Sequence, residues 1–544
     1  MMDIKWRNRA GALFHGAAHK AGVVAAVGLL VGATAERAEA KAGAAESCAS
    51  MIGLTVAGSG MAITKAEAVP ASAAGSAVAN ASQGGSAGPL PAYCRIEGTI
   101  NARTGADGKP YGLTVAIALP QDWNGRFLVQ GGGGVNGVLR PPLGTLAAGK
   151  VPALARGFAV VSTDGGHRGH MGDTSFMVDQ QATLDFAFNA VPTVTAAAKL
   201  VVERFYGRPI QHSYFAGCST GGRESMQAAQ RYPSLFDGII TGAPAMSAGN
   251  SNLALKWAAA AFNRISAKDE TGKIIAGSGF SVADRQLVVQ GLLRACDGRD
   301  GLKDGMIFNS GACKFDPVVL ACKGAKAEGC LDAAQVGALK TAFGGPVSPS
   351  GRQVYSSFPF DTGIASQGKG ITGFLLHSSG GPVATGGPPL NVDIEAEEAA
   401  IAASAMWLLT DTYNWTNLSS FSAKGGKQIF YHGMSDPWFS ATATTEYYQR
   451  LIADNGGEEK AGDLARLFLV PGMGHCEGGE ATLDQFDLLG PLVDWVENGK
   501  VPTSVVATGA SLPGRSRPLC AWPEYAHYKG AGDVNMAASF DCRK

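Results

Sequence analysis

A serine hydroxyl attacks a carbonyl only when a neighbouring base takes its proton, so the residues of first interest are a serine on a sharp turn and a histidine able to reach it. Gly217-Cys218-Ser219-Thr220-Gly221 sets a serine between two glycines, the pattern of a strand-to-helix elbow that lifts the hydroxyl above a sheet. In a chain with 75 glycines the pattern also arises by accident, and Gly84-Gly85-Ser86-Ala87-Gly88 is a second match. Their surroundings separate them. Ser86 stands in low-complexity sequence, whereas Ser219 follows the apolar run 212–217 and opens a helical segment reaching residue 232. Ser219 is the candidate nucleophile.

Of the nine histidines, His475 sits in the Gly-rich loop Val470-Pro471-Gly472-Met473-Gly474-His475 behind the strand-like run 466–470. A base in that place fits the chain order serine, acid, histidine. His432 lies in a strand end and reads as a packing or hydrogen-bonding residue. The acid is expected on the loop after a late strand, which is where Asp436 stands; Asp411 and Asp487 follow no clear strand. Its task is to hold the imidazole tautomer and stabilise the imidazolium. Two N–H donors must then meet the developing oxyanion. Thr220, just after the nucleophile, supplies one. The run Gly131-Gly132-Gly133-Gly134 supplies the other, through Gly132 or Gly133.

These loops need a scaffold. Short apolar runs at 114–119, 126–130, 158–162, 212–217, 238–241, 427–431 and 466–470 alternate with helix-like segments at 192–205, 220–232, 442–452 and 488–497. Such alternation predicts an α/β class fold, a parallel sheet with helices on both faces. It stops near residue 246 and resumes near 427. The catalytic domain is therefore 91–246 plus 427–544, and the Cys-, Gly- and Pro-rich stretch 247–426 is a large inserted lid. Residues 41–90, rich in Ala, Gly and Ser, read as a loosely packed lead-in.

A length of 544 residues favours two domains or one domain with a large insertion. Zero formal net charge gives no reason to expect a nucleic-acid or anionic-membrane partner. Residues 1–40 read as an export signal: Lys5, Arg7, Arg9 and Lys20 precede the apolar run 21–35, and Ala38-Glu39-Ala40 suits cleavage. Ten cysteines fit an exported, secreted or periplasmic protein with disulfides. Proximity pairs Cys296 with Cys313, Cys322 with Cys330 and Cys520 with Cys542, leaving Cys48, Cys94, Cys218 and Cys476. No CxxC occurs to suggest zinc.

One cysteine precedes the nucleophile and another follows the base, as Cys218-Ser219 and His475-Cys476. With Gly-Cys-Ser-Thr-Gly-Gly-Arg and Pro-Gly-Met-Gly-His-Cys-Glu-Gly-Gly, the chain from about 90 to 542 resembles the tannase and feruloyl esterase family, of the α/β-hydrolase fold. The resemblance implies a Cys218–Cys476 bridge across the two loops, a Cys48–Cys94 bridge, and a lid that binds an aromatic acid. Cys296-Asp297-Gly298-Arg299-Asp300-Gly301-Leu302-Lys303-Asp304-Gly305-Met306 brings three hard carboxylates into a Gly-turned loop. On composition this is a polar surface turn. The resemblance instead implies a structural calcium held by the side chains of Asp297, Asp300 and Asp304 and the carbonyls of Leu302 and Met306, with no organic cofactor. The C-terminal part resembles the family's terephthalate-monoester hydrolases, which makes Phe439 and Trp407 candidate substrate contacts. Arg352, the only arginine between Asp300 and Arg450, does not align with the lid arginine that grips a terephthalate carboxylate there.

The leading expectation is thus a serine esterase acting on small esters of feruloyl, chlorogenic or galloyl type. Terephthalate monoester hydrolysis is the alternative within the family. A non-catalytic binding protein on the same scaffold and a peptidase are the alternatives outside it.

Overall fold

The computed structural model describes residues 48–55, 57–72, 89–170, 172–367, 373–378 and 387–544. The export signal expected over 1–40 and the second G-x-S-x-G match lie outside the described residues.

Nine strands form one sheet in the order β1-β2-β3-β5-β4-β6-β7-β8-β9. They are β1 (Met61–Val69), β2 (Tyr93–Thr104), β3 (Pro110–Pro120), β4 (Arg126–Gln130), β5 (Ala159–Thr163), β6 (His212–Cys218), β7 (Gly238–Gly242), β8 (Lys427–Gly433) and β9 (Ala465–Val470). From β5 onward the pairing is parallel, while β1, β2, β3 and β5 pair antiparallel. The sheet is therefore mixed, which corrects the expectation of a parallel one. The central strands are covered on both faces and read as continuous apolar runs, the pattern that made them legible. Successive residues alternate between two cores. Val129, Phe215, Ile239 and Phe430 face one, and Leu128, Tyr214, Ile240 and Ile429 face the other.

A second correction concerns the lead-in. Within 41–90, Met61–Val69 is the edge strand β1, paired with β2 in register from Met61–Ile100 to Val69–Tyr93. Its exposed face carries Thr64, Lys65 and Glu67, which protect a sheet edge and also mask the strand in sequence. The C-terminal part adds three-stranded and two-stranded antiparallel sheets, Gln485–Phe486 with Ser504–Thr508 and Ser516–Cys520, and Tyr525–Tyr528 with Phe540–Arg543. Their short strands gave no strong periodic signal.

The helices Ala190–Tyr206, Thr220–Arg231, Ala441–Asp454 and Leu489–Asn498 stand where the sequence pattern put them. The described residues of 243–426 add no strand to the nine-stranded sheet; this segment contributes helices such as Ala248–Arg264, Val282–Cys296 and Ala333–Gly344 around Phe262, Phe280, Phe343 and Phe374. No helix among the described residues is long and apolar enough to cross a membrane.

All ten cysteines are bonded, as Cys48–Cys94, Cys218–Cys476, Cys296–Cys313, Cys322–Cys330 and Cys520–Cys542. The Cys48–Cys94 bond spans 46 residues and anchors the chain ahead of β1 to β2. A loop of that size restricts the unfolded chain by ~2–4 kcal/mol. The double variant Cys48→Ser/Cys94→Ser is expected to lose about that much stability, read as a lower denaturant midpoint with an unchanged far-ultraviolet spectrum. An unshifted midpoint would show that the edge strand holds without it.

Candidate active site

Ser219 follows β6 with φ 64° and ψ −123°, a conformation that costs a non-glycine residue about 1–3 kcal/mol and persists only where the surroundings enforce it. Here its N–H donates to the Gly242 carbonyl, while its own carbonyl accepts from Arg223 and Ala245. The flanking glycines are demanded by close approach. A Cβ on Gly217 would sit 2.2 Å from the Gly221 carbonyl oxygen, and one on Gly221 would sit 2.7 Å from that of Gly132.

The glycine run packs directly on this elbow. Thr220 donates its hydroxyl to the Gly134 carbonyl. Gly132 donates its N–H to Glu224 Oε2 at 2.8 Å, and Asn136 Nδ2 donates to Glu224 Oε1 at 2.8 Å. Gly132 is thereby corrected as an oxyanion donor, because its hydrogen is already committed to a carboxylate. Gly133 makes no such donation among the described residues. Glu224 was not legible in sequence, since a carboxylate in the first turns of a helix looks solvated until the fold buries it.

Asp436, on the loop after β8, is fully buried. Its Oδ1 accepts the backbone N–H of Trp438 at 2.8 Å and of Phe439 at 3.1 Å. Its Oδ2 lies 2.7 Å from His475 Nδ1 and 3.2 Å from His432 Nε2. Burial pushes the carboxyl up, but the His475 charge and the hydrogen bonds of both imidazoles outweigh it and hold the group well below the usual carboxylate range. His432 Nε2 also faces the Phe439 carbonyl at 3.0 Å, and its Nδ1 meets the Thr444 hydroxyl at 2.8 Å. With two acceptors at Nε2, that nitrogen carries the proton. His432 is thus a hydrogen-bonding residue, as its strand position suggested, and one that touches the acid.

The tautomer of His475 is fixed in the same way. A carboxylate at Nδ1 places the proton there and leaves Nε2 with a lone pair. That Nε2 is buried and has no hydrogen-bond partner among the described residues. An unpaired buried acceptor costs about 1–3 kcal/mol, and such a nitrogen is free to take a proton from an incoming group. The Trp438 and Phe439 rings flank the imidazole at 4.8 and 5.3 Å.

Two ties hold the loops together. The Cys218–Cys476 bond joins the residue before Ser219 to the residue after His475, with the Cα atoms 6.0 Å apart. Asp361, from the inserted segment, accepts from Ser435 Oγ at 2.7 Å and from the Gly472 N–H at 2.6 Å, bridging the loops of Asp436 and His475. Sequence reading missed Asp361 because its partners lie more than 70 residues away.

Ser219 opens onto a narrow slot of about 90 Å³ whose walls include Met177, Phe186, Met406, Trp407, Trp438 and Phe439. Both candidate substrate contacts, Trp407 and Phe439, are in its wall. Arg352 is not; it pairs with Glu398 on the surface. Arg223 is the guanidinium lining the slot, its Nη2 donating to the Phe186 carbonyl, and burial draws its pKa down to about 10. Of the other candidate acids, Asp487 pairs with Arg156 and Asp411 accepts the Tyr413 N–H.

The loop 297–306 packs on the C-terminal strands. Asp297 accepts from the N–H groups of Asp304 and Gly305, and Asp300 from those of Leu302 and Phe308. Asp304 pairs with Arg517. Burial pushes the Asp300 carboxyl up to about 7, and the neighbouring Asp304 and Asp297 charges push the same way. Met306 is buried, and Leu302 packs against the Cys520–Cys542 cluster. No three metal-ligating side chains converge among the described residues. The donor chemistry, three carboxylates and two carbonyls within ten residues, still suits a hard cation, and a cation would offset the burial of Asp297 and Asp300.

Residues 94–543 match the family model described as tannase and feruloyl esterase. The chain is 38% identical over 520 residues to a mono(2-hydroxyethyl) terephthalate hydrolase from Piscinibacter sakaiensis, covering 84% of this chain and 86% of the relative. It is 27% identical over 485 residues to a probable feruloyl esterase B-2 from Neosartorya fischeri, covering 82% and 86%. The crystal structure of feruloyl esterase B from Aspergillus oryzae superposes with a TM-score of 0.73 at 25% identity, over 92% of this chain and all of that one.

A carboxyl whose folded pKa is depressed adds stability above its unfolded pKa, about 3.9, and that stability is lost as pH falls through the folded value. Thermal unfolding midpoints measured from pH 5 down to pH 2 are therefore expected to fall more steeply for the native chain than for Asp436→Asn. Equal slopes would show that the Asp436 charge carries none of the acid sensitivity.

Proposed function

The chain belongs to the tannase and feruloyl esterase family of carboxylic ester hydrolases, and on that premise we propose that it cleaves esters of aromatic acids through a covalent acyl intermediate on Ser219. Ser219 Oγ attacks the ester carbonyl carbon while His475 Nε2 takes the hydroxyl proton. Asp436 keeps the other imidazole proton at Nδ1 and stabilises the imidazolium. The oxyanion is met by the N–H groups of Thr220 and Gly133. The alcohol departs with the proton from His475. A water, deprotonated by the same nitrogen, then attacks the acyl carbonyl and releases the acid. The observation that carries this reading is the buried, unpartnered Nε2 of an imidazole whose Nδ1 lies 2.7 Å from a buried carboxylate.

The aromatic slot supports an aromatic acyl group. At about 90 Å³ it is tighter than common ligand pockets, and the flexible side chains of Met177 and Met406 give the wall room to part. Feruloyl, chlorogenic and galloyl esters are the favoured class. The 38% identical relative favours a second reading, a terephthalate monoester; in it, Arg223 is the cation at hand for the free carboxylate. Comparing kcat/KM for methyl ferulate, methyl gallate, chlorogenate and mono(2-hydroxyethyl) terephthalate, with a matched amide as the peptidase control, decides between them. The five disulfides support export to an oxidising compartment.

The loop 297–306 supports a structural calcium held by Asp297, Asp300, Asp304 and the carbonyls of Leu302 and Met306, remote from the ester chemistry.

Ser219→Ala is expected to lower kcat by roughly 10⁶ with its unfolding midpoint retained. Turnover near the native rate, or failure of a fluorophosphonate to label Ser219 in the native protein, would overturn the acyl-enzyme and favour a binding protein. Removing calcium with a chelator is expected to lower the unfolding midpoint by several degrees, and added Ca²⁺ to restore it; a midpoint indifferent to both removes the ion from the account.

A further inference from the structure

Trp407 has a second role. Besides lining the slot at Ser219, it walls a separate cavity of about 690 Å³, and among the described residues it is the only one the two share. This larger space is built from the start of the helix Ala248–Arg264, the segment 407–417 and the end of the helix Ala441–Asp454.

Its chemistry is selective. Among the described residues no lysine, arginine or histidine lines it, so an anion finds no counter-charge there. No three metal-ligating side chains converge among the described residues, so a metal ion finds no cage. What lines it is a set of amides and carboxylates, Asn250, Asp411, Asn414, Asn417 and Asp454, around the ring of Trp415.

Trp415 is 52% exposed. A ring of that size gains most from burial, so leaving half of it in water forgoes stability. It is nonetheless fixed. Its Nε1–H donates to the Asn417 carbonyl at 2.9 Å, and its own carbonyl accepts from Gln230 at 2.8 Å and Tyr447 at 2.9 Å. The polar wall is braced too. Asp411 holds the Tyr413 N–H at 3.1 Å, and Asp454 accepts the Thr416 hydroxyl. A preset aromatic face beside amide and carboxylate groups recognises a neutral polyol: the ring takes a face of C–H bonds, and the side chains pair with adjacent hydroxyls. Because Trp415, Asp411 and Asp454 are already held, little of their freedom is lost on binding.

We propose that this cavity binds a neutral saccharide, stacked on Trp415 and held through its hydroxyls by Asn250, Asn414 and Asp411, across Trp407 from the ester-cleaving slot. Free saccharides contain no ester, so their binding is read independently of hydrolysis.

The test titrates the purified, full-length protein with cellobiose, xylobiose and arabinobiose by isothermal calorimetry. Saturable binding of at least one disaccharide is expected. Trp415→Ala and, separately, Asn250→Ala should each weaken it by about tenfold or more, with unchanged unfolding midpoints and with methyl ferulate turnover within about twofold of native. Asn250→Ala keeps the test open if loss of the indole unfolds the segment. The proposal is overturned if none of the three disaccharides saturates the native protein, if both variants bind as tightly as it does, or if methyl ferulate turnover falls in step with saccharide affinity. Saccharide binding by a protein that turns over no ester would sink the esterase reading and leave this one standing.

Discussion

The site depends on one charge kept out of water. Asp436 is buried where an unpaired carboxylate could not persist, and two backbone N–H groups and two imidazoles surround it. Removing any of these partners would leave part of the ion's desolvation cost uncompensated. The arrangement fixes more than the acid. Holding the proton of His475 on Nδ1 obliges Nε2 to present a lone pair, so the chemistry of the histidine is decided by a carboxylate on a different loop. His432 completes the shell from within β8, which makes the strand end part of the electrostatics and not only of the packing.

Around that charge the backbone is packed too tightly for side chains. The elbow at Ser219 and the glycine run approach so closely that a Cβ at Gly217 or Gly221 would enter carbonyl oxygens. Glu224 and Asn136 then use their polar atoms to set the glycine run in place. In the proposed reaction, donors fixed beforehand need no reorganisation when the oxyanion forms, which is why such stiffness is worth its strain. The Cys218–Cys476 bond and Asp361 add two ties of different kinds, one covalent and one of hydrogen bonds, between loops that belong to different strands. Asp361 comes from the segment between β7 and β8, so that segment helps to position the site as well as lining its slot.

Much of this was legible beforehand. The central strands announced themselves because burial on both faces makes a strand continuously apolar, and the serine, acid and histidine could be ranked by the strands they follow. The three short-loop disulfides followed from proximity, and the other two from family resemblance. The edge strand β1 was hidden among Ala- and Gly-rich sequence because half of its residues face solvent. The mixed pairing of the sheet was hidden as well, since periodicity reports burial and not strand direction.

The sequence by itself determined the chemical inventory: which serine has a strand behind it and a helix ahead, which residues can serve as acid and base, and which cysteines stand beside them. These are local properties, carried by residue type and spacing along the chain. Only the tertiary structure decided that Gly132 spends its N–H on Glu224, that Asp361 bridges two loops, that Arg352 lies on the surface while Arg223 lines the slot, and that Trp407 stands between two cavities. Each of those contacts joins residues distant in sequence, where spacing carries no information and only the packing of the folded chain selects the partner.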